Sequence, residues 1–152
     1  MELKITVKQA VPLALLYEAD GHEVEGKTRM QKLAFLTQER LVEAGVDLYE
    51  FIEYDYGPFS KELLEDLEMY EQKGLVEINR VPTFSGNHRF DYSLTEEGVE
   101  VFEGLLNEND TAKEVVETAS SVLDEYNDLS IRALMEHIYE NFPRFQERSV
   151  YY

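Results

Sequence analysis

The chain has 152 residues, 43% hydrophobic and 30% charged, which is the size and composition of one globular domain. It has no Cys, which excludes disulfides, thiolate metal sites and cysteine nucleophiles, and no apolar run approaches the roughly 20 residues that span a bilayer. Thirty-two acidic residues face fourteen basic ones, a net charge of −18 that repels nucleic acid and anionic membranes at low salt.

The charge is unevenly spread. Residues 1–40 carry six basic and six acidic groups, and residues 80–95 carry two against one; residues 41–79 carry two against eleven, and 96–152 four against fourteen. Lys is scarce at seven residues, the pattern expected of a halophilic prokaryote, although Glu outnumbers Asp 24 to 8 where a more balanced pair is expected. In molar salt the Debye length shrinks to about 3 Å, and net charge no longer forbids a polyanion partner. The N-terminus Met1-Glu2-Leu3-Lys4 has no signal-peptide core, so a cytoplasmic protein is expected.

In chain order, Thr6 and Gln9 are spaced as a capping box for a helix from about Thr6 to Ala19; Pro12 offers an alternative start. Asp20 to Gly26 reads as a loop. Thr28 as N-cap, with Gln31 three residues on, predicts a second helix to about Ala44, closed by Gly45. Its inward stripe is Met30, Leu33, Ala34, Thr37, Leu41 and Ala44, with Lys32, Phe35 and Glu39 facing outward. Tyr49 to Tyr56 alternates weakly and ends at Gly57-Pro58.

A third helix follows from Phe59 or Ser60 to Lys73, with Leu63, Leu64, Leu67 and Tyr70 on one face and Gly74 as its stop. Leu75–Val81 and Arg89–Leu94 flank a turn at Ser85-Gly86-Asn87 and predict a β-hairpin. Thr95 caps a helix to Leu106, and Asn107 to Asp110 reads as a linker. Thr111 and Glu114 form a capping box for a helix striped by Val115, Val116, Ala119, Val122, Leu123 and Tyr126. Asp128 caps the last helix, striped by Ile131, Leu134, Met135, Ile138, Tyr139 and Phe142 and ended by Pro143.

Three helices followed by a two-stranded hairpin are the arrangement of a winged helix-turn-helix. The expected fold is therefore mostly α with a small β-hairpin. Residues 1–106 form the winged domain, and residues 107–152 a helical extension that packs on the core or dimerises. Gly26 to Leu33, Glu53 to Ser60 and Leu63 to Gly74 resemble the YwgA-type winged-helix family, with a looser similarity to Panacea-type antitoxin domains. Leu134 to Tyr139 and Phe142-Pro143-Arg144-Phe145 extend the first resemblance over nearly the whole chain. It implies a winged-helix fold and a regulatory or interaction role, with no catalytic residues to carry over.

Gly21-His22-Glu23-Val24-Glu25-Gly26-Lys27-Thr28 matches the pattern of a phosphate-binding loop letter for letter. Its surroundings argue against that chemistry. Glu23 and Glu25 stand where the anion would sit, and the preceding segment Leu13 to Ala19 has helical periodicity. His22, His88 and His137 each stand alone, and the carboxylate pairs fall on adjacent helical positions. No enzyme, metal or cofactor is expected.

The first functional expectation is a DNA-binding transcriptional regulator, working as a homodimer through its C-terminal helices. Its contacts are Lys27, Thr28, Arg29 and Lys32 at one helix start, Ser60 and Lys61 at the next, and Arg80, Asn87, His88 and Arg89 on the wing. Against it, the outward face of the groove helix carries Glu62, Glu65, Glu68, Met69 and Gln72 with Lys61. The alternative is a protein-binding or antitoxin-like adaptor using this fold without DNA, with Phe35 and Met69 as exposed apolar contacts.

Overall fold

The computed structural model describes residues 5–41, 48–54, 57–86 and 88–145. Helix α1 (Val7–Glu18) starts with the expected capping box, Thr6 and Gln9 each bonding the other's backbone N–H. Pro12 lies inside this helix rather than at its start. Ala10 to Leu16 are buried without interruption, so α1 runs through the core.

A 3-10 turn at Asp20–His22 leads into β1 (Glu23–Glu25), a strand where the sequence predicts loop. Only Val24 of its three residues is buried, so the strand is too short to display an alternation. The hairpin is formed by β2 (Val76–Pro82) and β3 (His88–Leu94), paired from Val76↔Leu94 to Pro82↔His88. β1 adds to the other side of β3 with Val24 opposite Tyr92. The result is an antiparallel sheet of order β1-β3-β2, three strands rather than the expected two.

Helix α2 (Lys27–Arg40) departs furthest from expectation. Thr28 and Gln31 form no capping box; the N-cap is Gly26, whose N–H donates to Phe90 O and Asp91 Oδ1. Residues Met30 to Gln38 are all buried, including Lys32 and Phe35, which the helical pattern placed outward. The physical reason is coverage from both sides. Helices α1 and α5 (Asp110–Tyr126) lie on one flank, and Phe35 meets Phe51, Phe142 and Phe145 edge-on with centroids 4.9–5.3 Å apart on the other. Phe35 is thus core rather than docking surface, and Met69 is half-buried against the same core. The expected helix end at Ala44 and Gly45 lies outside the described residues.

Helix α3 (Lys61–Gln72) is capped by Ser60 as expected, its Oγ accepting from Leu63 N. Thr95 caps α4 (Glu96–Glu108), which continues through the expected linker because Asn109, rather than Thr111, caps α5: its Oδ1 accepts from Thr111 N and Ala112 N. Similarly Ser130, rather than Asp128, caps α6 (Ile131–Asn141) by accepting from Ala133 N. The α5 stripe from Val115 to Tyr126 packs mainly on α1 and α2, and one continuous hydrophobic cluster joins α1 to Phe145. The described residues form a mostly helical fold with a small three-stranded antiparallel sheet, in which three α-helices precede the hairpin and three follow it. Among the described residues no helix is long and apolar enough to cross a membrane.

Candidate functional site

Between the start of α2, the strand β3 of the hairpin and the residues Tyr54, Gly57 and Phe59 lies a cleft of about 870 Å³. That volume is within the range of small-molecule sites. Its position follows from how α2 ties down the long connection to α3. Gln31 Nε2 donates to Ser60 O while Ser60 N donates to Gln31 Oε1, both at 2.9 Å. Two helical turns on, Gln38 does the same with Tyr49, at 2.7 and 2.8 Å. Lys32 Nζ donates to Pro58 O at 2.8 Å. These side chains replace a sheet partner for backbone that would otherwise be buried unpaired.

The tie at Pro58 needs a glycine beside it. Gly57 has φ 84°, and a Cβ there would lie 2.7 Å from Met135 Cε and 3.3 Å from Lys32 Cε. Lys32 is only 2% exposed, and burial lowers its pKa to about 7. Arg29 donates to Asn127 O at 3.0 Å and Leu129 O at 2.7 Å, fastening the turn between α5 and α6. Burial pulls its pKa down while Glu25 and Asp128 push it up, and as a guanidinium it stays charged. Lys27 lies with Nζ 4.3 Å above the Phe90 ring.

The residues expected to touch DNA do not share one fate. Lys27, Thr28, Arg29, Lys32, His88 and Arg89 all line the cleft, so the two segments of low acidity meet there. Arg89 is engaged by Asp91 through two bonds of 2.9 Å, and Asp91 also accepts from Gly26 N. Arg80 does not line the cleft; it binds Glu71 of α3 and lies 5.3 Å over Phe90. Ser60 is 1% exposed and spent on its cap and its tie to Gln31. Lys61 is exposed at the start of α3, away from the cleft, and Asn87 lies outside the described residues. Along α3, Glu62, Glu65 and Glu68 are exposed, with Glu62 bound to Lys8 of α1.

The phosphate-loop pattern does not make a loop: Glu23 to Glu25 are extended in β1 and pair with β3. His22 Nδ1 lies 2.8 Å from Tyr17 O and its ring stacks on Tyr17, while His137 meets the Tyr126 hydroxyl at 2.9 Å. Among the described residues no group of three His, Asp or Glu side chains is arranged to hold a metal ion. Reasoning on the sequence missed the Gln31 and Gln38 ties and the walls supplied by Tyr54, Phe90 and Ile131. The available signal was polar side chains seven residues apart on a helix otherwise reading as core. No protein-family model matches the chain, and no curated protein matches it.

Proposed function

We propose that this is a winged-helix interaction module that binds a protein partner instead of reading DNA through α3. The observation that carries this reading is the outward face of α3, where Glu62, Glu65 and Glu68 are exposed over about two turns. A groove helix brings its side chains close to phosphates. At about 4 Å each like-charge contact costs ~1 kcal/mol in water and several times more in a partly desolvated interface. Arg80, the hairpin cation nearest α3, is bound to Glu71, so it neutralises the helix rather than a phosphate. The same face complements a basic segment of another protein. The carboxylate excess also suits a cytoplasm at molar salt, where a Debye length of about 3 Å leaves only contact pairs effective.

Two measurements test the reading. The wild-type chain should shift no genomic DNA fragment from about 0.1 to about 3 M KCl, across the range where counterion release would reveal phosphate contacts. A tagged chain purified from its own host should retain a partner that the variant Glu65→Lys/Glu68→Lys loses. A DNA shift weakened by Lys27→Ala replaces this reading with the DNA-binding regulator, whose support is the meeting of Lys27 and Arg89 at one cleft.

A further inference from the structure

Among the described residues, cations differ in what holds them. Lys8, Arg40, Arg80, Arg89, Lys113 and Arg132 are each bound to a carboxylate. Lys27, Arg29 and Lys32 are held by neutral groups instead: an aromatic face, two backbone carbonyls and one backbone carbonyl. A neutral acceptor fixes a cation's position without cancelling its charge. All three line the same cleft.

We propose that this cleft binds a small polyvalent anion, a carboxylate or phosphate ester with a planar apolar portion. Lys27 and Arg29 supply the standing charge, Lys32 adds its own when a bound anion keeps its ammonium protonated, and Phe90, Tyr54 and Phe59 supply an apolar wall for the rest of the molecule. Tyr54 and Phe59 already stack on each other at 4.9 Å, so that wall is preformed. The first turn of α2 adds its unpaired N–H groups and the positive end of its dipole. Glu25 is the carboxylate on the lining, and Asp128 acts on Arg29 from outside; Arg89 arrives already neutralised by Asp91. At physiological salt the Debye length is about 8 Å, so most of the −18 surface is screened from the cleft while the three cations within it are not. The acidic surface then discriminates by size. A compact anion enters, while a long polyanion must run past repelling carboxylates.

The inference is independent of the partner on α3 and is tested on the full chain by calorimetric titration at about 0.15 M KCl with benzene-1,3,5-tricarboxylate, a planar carboxylate, and with AMP, a phosphate ester with a planar ring. At least one probe should saturate with a Kd below about 1 mM. The amide resonances of Thr28 and Phe90 should move with the same isotherm. Lys27→Glu, a substitution at a half-exposed position, should weaken the binding by at least about tenfold, a loss of roughly 1.4 kcal/mol. Failure of both probes to saturate by ~10 mM overturns the proposal, as does an affinity unchanged in Lys27→Glu. Tighter binding of a DNA duplex at the same amides also overturns it and makes the cleft a nucleic-acid edge.

Discussion

Replacing Lys32 by Met should invert the stability ranking of variant and wild type between pH 6 and pH 10. In the fold the ammonium is buried and its pKa falls from 10.5 to about 7, so it is the charged form that folding disfavours. Between these values the unfolded chain binds the extra proton, and wild-type stability therefore rises with pH. Below pH 7 the full cost applies, on the order of 5 kcal/mol at 1.4 kcal/mol per pH unit. By pH 10 about 4 kcal/mol of it has been recovered. Met removes the cost at every pH but leaves Pro58 O without its donor, a loss of about 1–3 kcal/mol. Taking that loss as about 2 kcal/mol, the variant should be more stable by about 3 kcal/mol at pH 6 and less stable by about 1 kcal/mol at pH 10. Urea denaturation at fixed salt measures both curves, and every other titrating group cancels in their difference. Parallel curves, agreeing within about 1 kcal/mol in their pH dependence, would mean that the ammonium is solvated in the native state and would refute the argument.

Gln31→Leu should destabilise the fold by about 1–3 kcal/mol, because it leaves the N–H of Ser60 buried without a partner while its C=O keeps only the 3.4 Å bond from Leu64 N; denaturant melts check it, and a loss below about 0.5 kcal/mol would show that water replaces the tie. Gly98→Ala should cost at least about 3 kcal/mol, since the new Cβ in the first turn of α4 would sit 2.2 Å from the carbonyl oxygen of Leu75, just ahead of β2, where backbone must move; a thermal shift of less than about 3 °C would contradict that close approach.

Elements with their own punctuation were legible from the sequence. The Thr6–Gln9 box, the Ser60 and Thr95 caps and the hairpin all lie within a residue or two of where local chemistry puts them. Errors arose where a tertiary partner outbid a local one. Thr28 has the spacing of a cap, yet Gly26 takes the position because its N–H is already claimed by Phe90 O and Asp91. Phe35 and Lys32 fall on the polar side of an amphipathic reading, and that reading assumes one solvent face, which α2 lacks. Of the candidate site, the cations themselves were legible, because they lie in the two segments of low acidity. Which of them keep an uncancelled charge was not, since that depends on whether a carboxylate or a carbonyl arrives from some hundred residues away, as Leu129 does at Arg29.

The bonds from α2 to the chain ahead of α3 are nested: Gln38 closes 11 residues to Tyr49, and Gln31 closes 29 to Ser60 around it. Nesting of this kind resembles the stem of a folded nucleic acid, with side chains in the role of one strand. With the Lys32 closure of 26 residues to Pro58 lying between them, opening the inner closure lengthens that middle one from roughly 15 to 26 effective residues, which costs only about 0.5 kcal/mol in loop entropy. The closures are therefore almost energetically independent. The segment should peel from α2 stepwise from one end, with the amide of Tyr49 exchanging with solvent at a different free energy from that of Ser60.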